Sequence, residues 1–259
     1  MTRPRQGAFD LRYRPHLAAE EFFVSECNRN AWTAIRNWQR WPSRRLALTG
    51  PAESGKTHLG AIWAKETGAA WLHAAEMTEA RMHRLMEVPA VLVENVDRVA
   101  GLPEPVRRQI ETALFHLLNF TAAEGRLLLI TGRAGPGRWD LLTPDLASRV
   151  SALPHVAIAP PDDAILSLVL QKLFRDRQQV VGQDVIDYVV LRSERSFAAA
   201  RELAAALDRK ALAERRRITR PLAAELLAER AARAGAAQEG DWQEEARQEE
   251  ARPEEDRDD

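Results

Sequence analysis

The sequence predicts an α/β fold, a parallel sheet flanked by helices, followed by a small all-helical domain. Three observations carry that expectation. Continuous apolar runs, above all Ala90-Val91-Leu92-Val93 and Leu127-Leu128-Leu129-Ile130, alternate with segments of helical periodicity up to about residue 160. Such runs suit strands buried on both faces, and their alternation with helices suits parallel pairing. The stretch Gly50-Pro51-Ala52-Glu53-Ser54-Gly55-Lys56-Thr57 fits the phosphate-loop pattern G-x-x-x-x-G-K-[ST]. Beyond Pro160-Pro161 the pattern is helical only.

The phosphate loop has the context its chemistry needs. Arg45 to Thr49 reads as a short apolar strand, and Thr57 to Lys65 as a helix with Leu59, Ile62 and Trp63 on one face. Gly50 lets the chain leave the strand sharply, and Gly55 lets backbone N–H groups approach a phosphate without a Cβ in the way. The helix N-terminus adds partial positive charge. Lys56 is placed to reach the β- and γ-phosphates of a nucleotide, and the Thr57 hydroxyl to sit on Mg²⁺. Ala52, Glu53, Ser54 and His58 complete the candidate nucleotide-binding set. ATP or ADP with Mg²⁺ is the expected cofactor.

Taken in order, residues 1–20 lack periodicity and read as an N-terminal arm. Phe22, Phe23 and Val24 precede Ser25, a candidate N-cap. Asn28 to Gln39 reads as a helix, and this aromatic–aliphatic segment could wall an adenine or simply be core. Ala70 to His73 reads as the second strand and Met77 to Met86 as a short helix. The apolar run 90–93 is a central strand ending in Glu94, where a Walker-B carboxylate holding Mg²⁺ belongs. Asn95 follows, where a hydrolytic ATPase of this kind carries a second carboxylate. An amide can orient a water but cannot take its proton, so slow intrinsic hydrolysis is expected. Val106 to Phe120 is an amphipathic helix with Val106, Ile110, Leu114, Leu117 and Leu118 on its stripe. Thr131 ends the strand 127–130, beside the expected γ-phosphate, and is a candidate sensor. His155 to Ile158 reads as a fifth strand.

A helix is expected from Pro161 to about Arg177, another over Gln183 to Leu191, and a long one from Ser196 to about Arg216 with Phe197, Leu203, Leu207 and Leu212 inward. Thr219 caps the last. The expected divisions are thus 1–20, an α/β domain over 21–160, a helical lid over 161–234 and an acidic tail over 235–259.

Composition narrows the class. Charges nearly balance, at a net −1. From Ala236 to Asp259 there are 11 acidic and 3 basic side chains, a net −8, which leaves +7 for the rest. That body charge is thin evidence for nucleic acid, and the tail reads as disordered and solubilising. One cysteine, Cys27, excludes a disulfide framework. No apolar run approaches a membrane span, and no signal-peptide core follows Met1, so a cytoplasmic protein is expected.

An α/β nucleotide domain followed by a small helical lid is the architecture of AAA+ proteins. Gly50 to Leu59, ending Gly55-Lys56-Thr57-His58-Leu59, resembles the P-loop of the DnaA branch of that class, and Phe23-Val24-Ser25 is similar to its upstream segment. Ser148-Arg149 resembles its arginine-finger box, and Ala200 to Leu207 its sensor-2 helix. Glu94 to Gly101 is similar to the segment of Hda-like regulatory inactivators of DnaA, which also carry asparagine after the first Walker-B acid. The resemblance covers about residues 6–230.

It implies a regulator that, together with the DNA polymerase sliding clamp, stimulates hydrolysis of DnaA-bound ATP and so represses replication initiation. A glutamine-led clamp-binding peptide would be Gln6 to Leu11, with Gln6 first, Phe9 as anchor and Leu11 last, and with Gly7 at the usual leucine position. The alternative for that arm is packing on its own domain. Arg149 would be an arginine finger supplied in trans to a DnaA-type initiator. Arg201 would be the lid sensor, with Arg195 as competitor. No sequence-specific DNA binding is expected, because only the acidic tail follows the lid. The competing readings are a stand-alone AAA+ ATPase, such as a helicase loader, and a DNA-binding initiator variant. Homo-oligomerisation and the choice between ATP and ADP stay open.

Overall fold

The computed structural model describes residues 22–233. The arm with Gln6, Phe9 and Leu11, and the acidic tail, lie outside the described residues. Five strands form one sheet: β1 (Arg45–Thr49), β2 (Ala70–His73), β3 (Ala90–Glu94), β4 (Leu127–Gly132) and β5 (His155–Ala157). Their order is β2-β3-β4-β1-β5, and every neighbouring pair is parallel. The expected sheet is therefore present.

Because side chains alternate along a strand, each strand feeds two cores. Leu46, Leu48, Ala90, Leu92, Leu127 and Leu129 face α1 (Arg29–Arg36) and α2 (Lys56–Thr67), packing with Ile35, Leu59, Ile62 and Trp63. Ala47, Val91, Val93, Leu128 and Ile130 face the other way. There they meet α3 (Glu79–Leu85), α4 (Glu104–Ala123) and α5 (Pro144–Ser151) through Met82, Ile110, Leu114, Leu117, Leu146 and Val150. Leu92 and Leu129 are wholly buried; each such side chain stabilises the fold by about 1.5–3 kcal/mol. This two-sided burial is why the strands read as unbroken apolar runs.

The chain divides into two compact units, the first running to Ile165 and the second beginning at Leu166, with Ser196–Ala198 grouped with the first. The second is helical: α6 (Asp163–Asp176), α7 (Gln183–Val190), α8 (Phe197–Glu214) and a helix, α9, over residues 220–233. Leu166, Leu170, Phe174, Val185, Val189, Leu203, Leu207, Leu222 and Leu226 form its core.

Helix ends depart from the sequence expectations for local reasons. The helix expected from Asn28 to Gln39 spans only Arg29–Arg36, and Trp38 belongs to a separate 3-10 turn. Asn28, not Ser25, is the N-cap residue, and its Oδ1 accepts the Ser25 N–H at 2.9 Å. The helix expected from Pro161 starts at Asp163, and Asp162 Oδ1 accepts the Ile165 N–H at 2.7 Å. Leu212 was expected inward and is 65% exposed, because Ala211 takes the core position beside it.

The largest departure is on α4. Val106 is 42% exposed, while Arg107 is buried on the inward stripe. Arg107 Nε donates to Glu111 Oε1 at 3.0 Å, and Arg107 Nη2 donates to the Asp140 carbonyl and lies 3.3 Å from its carboxylate. Glu111 also accepts the N–H groups of Leu142 and Thr143, each at 3.0 Å. Thr143 is the N-cap residue of α5, so this buried carboxylate ties the entry of α5 to α4. Burial works against the Glu111 anion. The Leu142 N–H, the Arg107 guanidinium and the Thr143 N–H outweigh it and hold its pKa below the usual carboxylate range.

Glu111→Ala leaves Arg107 buried without its main partner and is expected to lower the unfolding free energy by about 3–5 kcal/mol, read by urea denaturation. In the unsubstituted protein the Glu111 contribution is complete above the unfolded carboxyl value of about 4.3. It is lost as pH falls through the depressed folded value. Glu111→Ala should flatten that part of the acid-stability curve.

Candidate phosphate-binding site

The loop 50–55 joins β1 to α2 at the C-terminal edge of the sheet. Gly50 has φ +152, and a Cβ there would stand 2.9 Å from Ile158 Cβ, from the Ile158 carbonyl and from Ser54 Oγ. Only glycine passes through that gap. Glu53 and Gly55 also take positive φ, +62 and +92, which curls the loop so that α2 starts at Lys56. Ala52 and Glu53 are exposed at its crest, while Ser54 and Lys56 are buried.

Lys56 Nζ donates to the carbonyls of Gly50 (2.9 Å) and Pro51 (2.6 Å) and to Ser54 Oγ (3.4 Å). Burial pushes its pKa below the ordinary lysine range, opposed chiefly by the negative charge of Asp97 and then of Glu94. A desolvated ammonium bonded only to neutral oxygens has the chemistry to take an anion such as phosphate, because a charge-assisted hydrogen bond offsets the cost of burying the cation.

The neighbouring strand ends close round this loop. Glu94, at the end of β3, is 1% exposed, and Trp71 Nε1 donates to its Oε2 at 2.9 Å. His73 Nδ1 lies 3.7 Å from the same oxygen. Asn95 adopts left-handed backbone, φ +58, which asparagine tolerates. Its N–H donates to Thr131 Oγ1 at 3.1 Å, and its Nδ2 lies 3.2 Å from His73 Nδ1. Thr131 is buried at the end of β4; as an acceptor from Asn95 it keeps its own O–H to donate. The next peptide but one makes the join: the Gly50 N–H donates to the Arg133 carbonyl at 3.2 Å, and the Arg133 N–H donates to Asp97 Oδ2 at 3.1 Å.

An aromatic group flanks the loop. Phe22 stacks on Trp32, with centroids 5.4 Å apart and planes within 6°, and meets His58 edge-on at 5.2 Å. A Cβ on Gly55 would lie 3.1 Å from Phe22 Cε2, so Phe22 is seated on the loop itself. Asn28 holds it there: its Nδ2 donates to the Phe23 carbonyl at 2.8 Å, while the Ala159 N–H donates to the Cys27 carbonyl at 2.9 Å.

Gly50, Ser54, Gly55, Lys56, Thr57, Glu94, Asn95 and Thr131 are thus brought to one edge, with His58 turned to the aromatic group. The Thr57 hydroxyl and Glu94 carboxylate are hard oxygen donors, of the kind magnesium takes together with phosphate oxygens. Among the described residues no three His, Cys, Asp or Glu side chains group as a metal cage. The donor set therefore fits a magnesium ion carried by a phosphate, not one held by protein alone.

Arg149 is elsewhere. It is exposed on α5, its Cζ 5.2 Å from the Phe115 ring centroid, and α5 packs on the sheet face opposite α2. Arg201 and Arg195 belong to the second unit; both are exposed, and Arg201 is on α8. Sequence reasoning missed Asp97, Asn28 and Phe115. An acid three positions after Glu94 and an amide at a helix start were the available signals.

No protein-family model matches the chain. Its fold is similar to domain III of the Thermotoga maritima replication initiation protein DnaA, at TM-score 0.67 and 19% identity over 83% of this chain and 97% of that one. It is also similar to the replication initiator DnaA bound to AMPPCP and single-stranded DNA, at TM-score 0.62 and 18% identity over 74% of this chain. The match spans only 65% of that initiator chain. The Thermotoga maritima RuvB Holliday junction branch migration motor gives TM-score 0.57 and 16% identity, over 80% of this chain and 70% of that one. The chain therefore shares the fold of that domain III, a five-stranded parallel sheet flanked by helices. No described helix is long and apolar enough to cross a membrane.

Asn28→Ala strips partners from the Ser25 N–H and the Phe23 carbonyl. It is expected to cost about 1–3 kcal/mol and to speed hydrogen exchange at the Ser25 N–H, read by thermal melting and exchange mass spectrometry.

Proposed function

We propose that this chain is a nucleotide-binding AAA+ regulator of DNA replication, one that stimulates hydrolysis of ATP on a DnaA-type initiator. Gly50, Ala52, Glu53, Ser54, Gly55, Lys56, Thr57 and His58 hold the phosphates of ATP or ADP, with Phe22 and Trp32 walling the base. Thr57 and Glu94 take the Mg²⁺, which when bound neutralises phosphate charge. Thr131 reads the terminal phosphate, and Arg201 senses nucleotide from the lid.

Asn95 carries no proton-accepting carboxylate, and its backbone and amide are already engaged by Thr131 and His73. This chain's own hydrolysis is therefore slow, and its nucleotide acts as a conformational ligand. The single observation that carries the regulatory reading is Arg149: an exposed guanidinium on the sheet face opposite its own phosphate-loop helix. In that position it can serve a second molecule's nucleotide. The Phe115 ring beneath it limits its rotamers at a gain of about 0.5–1 kcal/mol. Presented to the partner's γ-phosphate, such a guanidinium neutralises charge developing in the transition state and can be worth about 10³–10⁵ in rate. The partner supplies the lytic water and its own phosphate loop. Gln6, Phe9 and Leu11 dock the chain on the sliding clamp, which gathers it with the initiator on DNA.

The test is the ATPase rate of a purified DnaA-type initiator with DNA-loaded clamp, with and without this protein. The rate should rise. Arg149→Ala should remove most of the rise without altering this protein's fold, and Gln6→Ala should remove it only where clamp is required. No rise, with brisk clamp-independent hydrolysis by this protein alone, would overturn the regulator in favour of a stand-alone ATPase.

A further inference from the structure

Asp97 belongs to the turn after β3, three residues beyond Glu94. Its two oxygens have different fates. Oδ2 accepts the Arg133 N–H at 3.1 Å. Oδ1 is buried and has no hydrogen-bond partner among the described residues. A buried carboxylate oxygen left unpaired costs about 1–3 kcal/mol or more, so it calls for a donor or cation that arrives from outside. The same residue that meets Asp97 through its N–H meets the phosphate loop through its carbonyl: the Arg133 carbonyl accepts the Gly50 N–H at 3.2 Å. Asp97 is therefore linked to the first residue of that loop through the backbone of a single residue, Arg133.

We infer that Asp97, not the residue at position 95, is the second carboxylate of the phosphate site. Its Oδ1 accepts from water bound to the magnesium that enters with the nucleotide. Glu94 and Thr57 would hold the ion together with the phosphates, and Asp97 would act on it through water, while Oδ2 holds the end of β4 against the loop. Asp97 is also the leading negative neighbour of Lys56, ahead of Glu94, which places its charge towards the phosphates. Arg133 and Arg98 are the positive groups that act on the same lysine; they set the local balance that a bound metal would shift. The inference rests on the proposal that this loop holds a magnesium nucleotide.

Binding, not turnover, tests it. The full chain is titrated with ADP by calorimetry, once with Mg²⁺ and once with EDTA, as the unsubstituted protein and as Asp97→Asn. The amide variant keeps an acceptor for the Arg133 N–H, replaces the other carboxylate oxygen by an NH2 donor and removes the charge. Its melting temperature is recorded beside it. Asp97→Ser, smaller and still able to accept, replaces it should the amide variant not fold. The expected result is that Mg²⁺ tightens ADP binding to the unsubstituted protein, and that Asp97→Asn loses about 10- to 100-fold of that gain. Affinity in EDTA should stay within about twofold, because Oδ1 then faces no metal-bound water. An undiminished magnesium gain, or equal loss with and without Mg²⁺, would overturn the role and reduce Asp97 to a brace for Arg133. Failure of the unsubstituted protein to bind ADP under either condition would overturn the nucleotide reading itself, and this inference with it.

Discussion

The site depends on β1 lying between β4 and β5. The register sets Thr49 opposite Gly132 on one side and Ala157 on the other. One step further, the chain leaves the sheet at Gly50 with Arg133 on one flank and Ile158 on the other. The hydrogen bond from the Gly50 N–H to Arg133 and the contacts that exclude a Cβ at Gly50 both follow from that register. Ligands of open parallel sheets bind where a strand has neighbours reached by connections on opposite sides. Here that place is the end of β1. A one-residue slip would turn Leu46 and Leu48 to the wrong core, so the two apolar layers and the phosphate loop are specified together.

Charge buried in this fold is used in two ways. Arg107 and Glu111 are closed on each other, on the Asp140 carboxylate and on the backbone of residues 140–143. They orient α5, and with it the exposed Arg149. Lys56, Glu94 and Asp97 are different. Lysine is bonded to neutral carbonyls and a hydroxyl, and its carboxylate neighbours act on it only through space. One Asp97 oxygen lacks a partner among the described residues. The first group reads as structure, and the second as a place for something charged.

Much of the fold was legible because its strands are buried on both faces, so that 90–93 and 127–130 appear as unbroken apolar runs. The phosphate loop was legible because its chemistry needs fixed residues at fixed spacing. What the sequence hid depends on tertiary partners. Arg107 displaced Val106 from the inward stripe only because Glu111 and Asp140 receive its guanidinium. Asn28 looks like a helix residue, yet it braces the segment carrying Phe22. Asp97 is set beside the loop by the turn after β3, a geometry that no periodicity encodes. Arg149 could be picked out by resemblance to an arginine-finger box, but its stacking on Phe115 needed the packing of α5 on α4.

The central claim is that the Lys56 ammonium is held ready for a phosphate. The most direct measurement is a crystal structure with ADP and magnesium. The account predicts that Lys56 Nζ leaves the Pro51 carbonyl for the terminal phosphate of the bound nucleotide, while the Gly50–Arg133 hydrogen bond stays in place. A nucleotide bound away from this loop, with Lys56 still on the Gly50 and Pro51 carbonyls, would contradict it.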